Sequence, residues 1–484
     1  MKKKFLIYSL ISFSLLFASS KTSFTPALAK DDNVLRIFNW EDYIYEPEEE
    51  GEEEAIIDQF ISHYKEETGV DIKVEYYTFA TNEEMYNKLD LSDTQYDLLC
   101  PSDYMIQRLI REDKLEKFDY DLTTESYDLI PNYNDYGSPY LKEIFKDNEW
   151  SEYSVGYMWG TMGFVYNKNF ITNVEDLSSW GVLWDKKYSH KVSIKDSMRE
   201  TYLTGLLYLY QDELLSLKED NNAALISDED YNEKITELLN DTSEKTILEV
   251  EKVLNDLTKN IYGFEVDSGK NDIVTGKILI NTAWSGDAVY SIGEAGNENL
   301  GYIIPEEATN VWFDGWVMPK GANKKLAQAF INFLSDPSVA LQNVDYIGYT
   351  SFIAGEDMLD YIKDHDEYDE EGEYTVDLSY FFGDTIEDVE EAKIVTNVRD
   401  GQLTTLFPSS EEIKRAAVMK DFGEQNKRVI AMWTMIRSTQ MSPALITIVI
   451  IVIVILVGFL IFNLIKRNLQ YKSRKQRRKL KENS

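Results

Sequence analysis

Residues 56–74 read IIDQFISHYKEETGVDIKV, and this stretch determines the fold class that we expect. Apolar side chains recur at three- and four-residue spacing up to Gly69, which is typical of an amphipathic helix that ends at a glycine. Beyond that glycine, apolar residues alternate at Val70, Ile72 and Val74, as they do in a strand with one buried face. A helix followed directly by a strand is the repeating unit of α/β domains.

The same alternation continues along the chain in both directions. The letters TNEE at 81–84 form a capping-box pattern that predicts the start of a helix. Leu326 and Phe330 keep helical spacing, and that pattern stops before the Asp-Pro pair at 336–337. We therefore predict α/β layers with a largely parallel sheet between residue 31 and about residue 440.

The composition narrows the classes of function. The 484 residues carry 86 Asp and Glu against 49 Lys and Arg, and this net charge of -37 would repel the phosphates of nucleic acid. The length and a hydrophobic content of 43% suffice for two or more domains. One cysteine, Cys100, and 3 dispersed histidines argue against a disulfide framework and a thiolate zinc site, so we expect no metal and no cofactor. A cationic or neutral ligand is favoured.

The N-terminus has the pattern of an export signal. Three lysines follow the initial methionine, an apolar stretch covers residues 5–18, and Ala-Leu-Ala at 27–29 offers a cleavage site. We therefore expect residues 1–29 to be a signal peptide.

The C-terminus has the pattern of a membrane anchor. Residues 444–465 are 22 consecutive uncharged residues, long enough at about 1.5 Å per residue to cross a hydrocarbon core of roughly 30 Å. The 9 basic residues within 466–484 follow directly, and such a cluster marks the cytoplasmic side. We predict a single-pass protein of the cell membrane, with its ligand-binding domain extracellular or periplasmic and its C-terminus cytoplasmic.

Aromatic residues recur within a few positions of carboxylates. Examples are NWEDY at 39–43, WSGD at 284–287 and WFD at 312–314, in a chain with only 9 tryptophans. Such clusters can enclose an alkylammonium ion, because a buried cation–π contact contributes about 2 kcal/mol and a charge-assisted hydrogen bond roughly 1.5 to 3 kcal/mol. For any single tryptophan, packing in a core is the more common role, and paired acids in an aromatic cleft also suit a carbohydrate-active enzyme.

Nine short blocks follow one another along the chain. They are LRIFNWEDY (35–43), NEEMY (82–86), YDLLCPSDY (96–104), YSVGYMWG (153–160), DSMRE (196–200), WSGD (284–287), WFD (312–314), FINFLSDP (330–337) and IGY (347–349). In this order they resemble the spermidine/putrescine-binding receptors of bacterial ABC importers, and the resemblance covers most of residues 33–440.

The resemblance implies a clamshell of the periplasmic-binding-protein type II-like class, to which the chain's own sequence adds a C-terminal transmembrane helix. Residues 31–155 and 313–357 would form α/β lobe 1, and residues 156–312 and 358–440 would form α/β lobe 2. A polyamine would bind in the cleft between the lobes, and the permease subunits of an ABC transporter would be the protein partner. The chain would then be a receptor without catalytic residues.

Carried over position by position, the resemblance implies ten ligand-binding residues. The aromatic walls would be Trp40, Tyr43, Tyr104, Trp284, Trp312 and Tyr349. The polar contacts would come from Ser102, which offers a hydroxyl, and from Glu200, Asp287 and Asp314, which would receive ammonium groups. Because the chain has 32 tyrosines, a packing role is equally compatible with Tyr349.

Departures from the family pattern concern which polyamine is preferred and how the protein is attached to the membrane. Ser197 stands where spermidine receptors carry a second acid and Asp287 stands where putrescine receptors carry one, which favours the shorter diamine, whereas Trp312 favours the longer amine. The acidic run at 46–54 would attract amines or simply be solvated. A polyamine-sensing ectodomain is the main alternative to a transport receptor, and the C-terminal anchor itself departs from the soluble or lipid-tethered forms of the family.

Overall fold

A computed structural model describes residues 32–47, 52–91, 95–266, 268–296 and 298–438. The predicted signal peptide (1–29), membrane helix (444–465) and basic tail (466–484) lie outside these ranges. Of the helices within them, none has the length and apolar character needed to cross a membrane.

Short and long strands alternate with helices through the described residues. The strands are Val34–Trp40 (β1), Lys73–Phe79 (β2), Leu98–Leu99 (β3), Leu115–Glu116 (β4), Tyr120–Asp121 (β5), Ser126–Tyr127 (β6), Ser154–Asn167 (β7), Val192–Lys195 (β8), Gly263–Glu265 (β9), Ile280–Trp284 (β10), Leu300–Ile303 (β11), Thr309–Pro319 (β12), Thr350–Ser351 (β13), Tyr374–Asp377 (β14), Lys393–Thr396 (β15) and Ala416–Val418 (β16).

The α-helices are Ile56–Thr68 (α1), Asn82–Leu91 (α2), Asp103–Arg111 (α3), Pro131–Tyr136 (α4), Pro139–Asp147 (α5), Met198–Leu209 (α6), Gln211–Asn222 (α7), Asp228–Leu239 (α8), Glu244–Leu257 (α9), Ser268–Val274 (α10), Ser285–Ala295 (α11), Lys324–Leu334 (α12), Pro337–Ile347 (α13), Glu356–Asp364 (α14), Ser379–Phe382 (α15), Gln402–Leu406 (α16), Ser410–Lys414 (α17) and Asn426–Ser438 (α18). Single 3-10 turns lie at Val174–Leu177, Trp180–Trp184, Lys186–Tyr188, Gly383–Thr385, Val389–Ala392 and Gly423–Gln425.

Most strands belong to one sheet, in the order β2-β1-β3-β12-β7-β10-β8-β9. At one end β1 runs parallel to β2 and β3, and at the other end β8 runs parallel to β9 and β10. The long strands β7 and β12 pair antiparallel between these two sets. The α/β prediction is therefore confirmed. The sheet is mixed and not largely parallel as expected, because β7 and β12 pair antiparallel with each other and with their neighbours β10 and β3.

Each parallel set has its own hydrophobic core. Phe38 and Phe60 belong to the first core cluster, and Trp180 and Leu206 belong to the second. Strand β7 passes from one to the other, since Met158 and Trp159 pack in the first cluster while Met162 and Phe164 pack in the second. Strand β7 thus contributes buried side chains to both clusters.

The helix and the strand predicted from residues 56–74 are both present, with a small shift in where the strand begins. Ile56, Phe60 and Tyr64 are the buried face of α1, and Gly69 ends that helix in the left-handed conformation with φ of 72°. The following strand begins at Lys73, later than the alternation from Val70 indicated.

Helix α2 begins at the predicted capping pattern. The Thr81 hydroxyl accepts a hydrogen bond from Glu84 N at 3.1 Å, while the Glu84 carboxylate accepts from Ala80 N at 3.1 Å. In a capping box the Glu84 carboxylate would accept from Thr81 N, whereas here it accepts from the preceding residue, Ala80. Helix α12 ends at Leu334, before the Asp-Pro pair, as predicted.

One segment packs differently from the predicted lobe boundaries. The prediction places residues 358–407 in lobe 2, yet their buried hydrophobic side chains belong to the first core cluster. Phe381 stacks on Trp159 at 5.9 Å, and its carbonyl accepts a hydrogen bond from Ser138 Oγ at 2.7 Å. Ala417 and Met419, farther along the chain, belong to the second cluster. The division into lobes itself stays a prediction.

Candidate ligand-binding site

Several of the predicted site residues lie at or just after the carboxyl ends of the parallel strands. Trp40 is the last residue of β1, and Ser102 follows β3 as the N-cap of α3. Trp284 is the last residue of β10 in the other parallel set. Ligands of open α/β sheets bind at this edge, because the strand ends leave a crevice there.

Asp314, on β12, has a buried carboxylate held by two hydroxyl groups. Tyr43 Oη donates to Oδ2 at 2.8 Å and Ser102 Oγ donates to Oδ1 at 2.7 Å. The Asn82 side chain orients Ser102, since its Nδ2 donates to Oγ at 3.0 Å and its Oδ1 accepts from Ser102 N at 3.1 Å. Among the described residues, Asp314 has no basic partner within ion-pair distance.

The charge state of Asp314 follows from this environment. Burial raises the pKa of the carboxyl from 3.8 to about 6, because the ionised form is poorly solvated there. The hydrogen bonds from Ser102 and Tyr43 lower the pKa, and the nearby charge of Glu200 raises it. The site therefore holds a carboxylate at neutral pH that a bound cation would stabilise.

Tyr349 connects Asp314's surroundings to Asp287. Its ring packs edge-on against Tyr43 at 5.8 Å and against Trp312 at 5.3 Å, and its hydroxyl donates to Asp287 Oδ1 at 3.3 Å. Gly286 makes room for this ring, since a Cβ atom there would lie 2.3 Å from a ring carbon of Tyr349. Three predicted aromatic residues thus form one continuous wall.

Glu200 forms a second acidic position. It lies in the first turn of α6, where the helix dipole favours a negative charge. Its carboxylate accepts hydrogen bonds from Trp284 Nε1 at 3.3 Å and from Ser197 Oγ. The phenol of Tyr104 also feels the charge of this acid. Burial is the largest cause that raises the pKa of Tyr104, and the negative charges of Glu83 and Glu200 raise it further.

Asp287 differs from the other two acids because lysines already pair with it. Lys195 Nζ lies 2.7 Å from Oδ2, and Lys270 Nζ lies 3.5 Å from Oδ1. Burial acts to raise the pKa of Asp287, but the attraction of Lys195 and Lys270 outweighs it and lowers the pKa below 3.8. Its carboxylate is thus neutralised from within the chain.

Lys195 was missed by the sequence analysis, although a signal was present. It ends the short strand VSIK at 192–195, directly before the DSMRE block. A lysine at the carboxyl end of an apolar strand lies at the edge where ligand sites occur. Asn82 was missed as an individual residue too, although it opens the NEEMY block.

Trp40 is joined to the set by no hydrogen bond among the described residues. Its ring packs against Phe79 at 4.7 Å, and its buried Nε1 donor finds no acceptor in the part of the chain that the structure describes. The same part contains no group of three His, Cys, Asp or Glu side chains suited to a metal ion.

Known proteins with similar sequences fall into one family. The family of bacterial extracellular solute-binding proteins matches residues 59–375. The spermidine/putrescine-binding periplasmic protein of Salmonella typhimurium is 29% identical over 327 residues, which are 67% of this chain and 79% of that protein. The putrescine-binding periplasmic protein PotF of Escherichia coli is 28% identical over 338 residues, with the shares 67% and 79%.

A solved structure agrees with these relatives. The spermidine/putrescine ABC transporter substrate-binding protein PotD of Streptococcus pneumoniae is 26% identical, with a TM-score of 0.55, over 84% of this chain and 99% of that chain. Solute-binding proteins catalyse no reaction, so the carbohydrate-active enzyme is rejected. Because the family match covers more than half of the chain, this chain belongs to the bacterial extracellular solute-binding proteins.

Proposed function

We propose that this chain is a receptor that captures the polyamines putrescine and/or spermidine outside the cytoplasm and delivers them to the permease of an ABC importer. Asp314 is the observation that carries the proposal. A buried carboxylate without a cationic partner is unfavourable by several kcal/mol, so its position favours a ligand that brings a positive charge. The likeness to proteins named for these amines supports the same class of ligand.

The surroundings of Asp314 suit an ammonium group in particular. The ring of Tyr349 contacts the rings of Tyr43 and Trp312 beside the acid. Aromatic faces attract cations and also cover an alkyl chain, whereas a metal ion would need several oxygen ligands instead. An organic cation with an apolar middle matches this lining.

We assign the other predicted residues by their contacts. Glu200 would receive the second ammonium group, and Trp284 and Tyr104, which lie beside it, would cover the chain between the charges. Ser102 would fix the orientation of the first acid. Trp40 would add a wall from the end of β1, where its buried Nε1 is available to a water molecule.

We further propose that residues 444–465 anchor this receptor in the cell membrane, with residues 466–484 in the cytoplasm and residues 1–29 removed on export. The apolar length of the first segment and the basic charge of the second support this topology. An anchor would raise the local concentration of the receptor at its permease without any new contact.

Ligand-induced stabilisation tests the ligand class. The purified full-length chain is heated with putrescine, spermidine, amino acids or oligosaccharides, and the thermal midpoint is recorded. A ligand at one hundred times its dissociation constant stabilises by about 2.7 kcal/mol, which a thermal melt resolves. We expect only the amines to raise the midpoint, and stabilisation by sugars or amino acids alone would contradict the proposal.

Uptake and fractionation test the remaining parts. Cells that lack the chain should lose uptake of labelled putrescine, whereas a pure sensor would leave uptake intact.

A chain ending at residue 438 should be released from cells, while the full chain should stay in the membrane after alkaline extraction. Retention of the shortened chain in the membrane would contradict the anchor.

A further inference from the structure

Lys195 is a buried lysine whose ammonium group has the surroundings of a bound ligand. Its side chain is 1% exposed, and Nζ lies 2.7 Å from Asp287 Oδ2 and 3.2 Å from Glu265 Oε1. Nζ also donates to the carbonyl of Val266 at 2.9 Å and lies 4.4 Å from the centre of the Trp284 ring. Two carboxylates, a carbonyl and an indole face are the groups that recognise an alkylammonium ion.

The strand order produces this arrangement. Lys195, Glu265 and Trp284 are the last residues of the parallel strands β8, β9 and β10, and β8 lies between the other two. Asp287 follows in the first turn of α11. Adjacent parallel strands bring their final side chains to one edge of the sheet, so this cation position belongs to the crevice side of the fold.

We propose that Lys195 is a built-in ammonium group that fills the cation position formed by Asp287, Glu265 and Trp284, and that it thereby restricts the binding site to amines with two positive charges. This inference rests on the proposed polyamine function and specifies its ligand. Lys195 is a specificity-determining residue in this account, because it blocks a position that a third ammonium group would otherwise use.

The balance of charges supports the restriction. Lys195 and Lys270 neutralise Asp287 and Glu265, so these four groups leave no net charge for a ligand. In the described part of the chain, Asp314 and Glu200 form no ion pair with a basic side chain. Two carboxylates without an ion pair match a diamine such as putrescine. The third ammonium group of spermidine would have to displace Lys195 or stay unpaired.

Replacement of Lys195 tests the restriction directly. Lys195→Met keeps most of the apolar stem and removes the charge, which vacates the position over Trp284. We expect calorimetric titration of the full-length variant to show spermidine gaining at least tenfold in affinity relative to putrescine, compared with the unmodified chain. An unchanged ratio in a folded variant would overturn the inference.

Lys270→Met is the matched control. It removes a positive charge from the same carboxylate, because Lys270 Nζ lies 3.5 Å from Asp287 Oδ1, but it leaves Lys195 over the indole ring. We expect its ratio of affinities to stay within threefold of the unmodified chain. An equal gain for spermidine in both variants would assign the effect to net charge and overturn the role of the filled position.

Chemical rescue gives a readout that does not depend on polyamine binding. Lys195→Ala lacks the fragment equivalent to propylammonium, so propylammonium chloride should raise its thermal midpoint more than sodium chloride does at the same concentration. The unmodified chain should show a smaller difference between the two salts, because Lys195 fills this position and only Asp314 and Glu200 remain to bind the ion. The same difference between the salts in both chains would overturn the account of a cation position at Lys195.

The unmodified chain supplies the test if the variants do not fold. It should bind putrescine at least as tightly as spermidine, and a tenfold preference for spermidine would overturn the inference. If the unmodified chain bound neither amine, the proposed function would fail, while the propylammonium rescue would still decide whether Lys195 occupies a cation position.

Discussion

The Tyr43 hydroxyl donates a 2.8 Å hydrogen bond to Asp314 Oδ2 across 271 positions of sequence. Tyr43 lies just beyond β1 in the first core cluster, whereas Asp314 lies on β12, one of the two strands shared by both parallel sets. Ser102 holds the other oxygen at 2.7 Å. The carboxylate is therefore oriented before any ligand arrives, which reduces the entropy lost on binding.

Asp314→Asn should weaken diamine binding by about 2 kcal/mol or more, because the ammonium group loses a charge-assisted hydrogen bond in a buried site. Titration calorimetry on the full-length chain measures the loss. Asp58→Asn removes the same charge from an exposed position of α1 and should leave the affinity unchanged. Normal binding by Asp314→Asn would remove that residue from the site.

Binding should strengthen as the pH rises through about 6, where Asp314 ionises. Below that pH the carboxyl is protonated, while the amine stays charged, so the affinity should fall by up to about tenfold for each further pH unit. Dissociation constants measured between pH 5 and pH 8 test this. A flat profile in the unmodified chain would contradict the assignment, and Asp314→Asn should show a flatter one.

The unliganded protein should show the opposite effect of pH on stability. The folded pKa of Asp314 is raised, so its favourable contribution is fully present below the ordinary value of 3.8 and is lost as the pH rises through about 6. At pH 7.5, Asp314→Asn without ligand should therefore be more stable than the unmodified chain by about 3 kcal/mol, since each pKa unit corresponds to about 1.4 kcal/mol. The difference should vanish near pH 4 in urea unfolding, and a less stable variant at pH 7.5 would contradict this sign.

Gly286→Ala should weaken amine binding about tenfold, because its methyl group would displace the Tyr349 ring from Asp287 and Trp312. Gly293→Ala, in the same helix, meets only the end of the flexible Gln402 side chain at 2.9 Å and should leave affinity unchanged. Lower stability with normal affinity in Gly286→Ala would show that Tyr349 only packs.

The sequence predicted the elements whose patterns are local. Helix α1 followed from its apolar spacing and its terminal glycine, and α12 followed from its spacing and the Asp-Pro pair. The packing of residues 358–407 on the first core was missed, because contacts such as Phe381 with Trp159 join distant segments. Periodicity within a segment does not indicate which core cluster the segment will pack against.

The acidic and aromatic positions of the site were recognisable in short blocks, but their partners were not. Asp287 was expected to receive a ligand, and the structure pairs it with Lys195, 92 positions away. That pairing depends on β8 and β10 being neighbours in the sheet. Predicting which carboxylates are left for a ligand therefore requires the strand order. The aromatic and acidic motifs do not contain that information.

Proton release on ligand binding tests the central claim most directly, because it reports the ionisation of the acid that contacts the ammonium group. Putrescine is titrated into the full-length chain at pH 6 in buffers of different ionisation enthalpy. We predict release of about half a proton per amine bound, declining to none by pH 8, since Asp314 is half protonated near pH 6 and ionised in the complex. Tight binding without proton release at pH 6, or undiminished release in Asp314→Asn, would contradict the account.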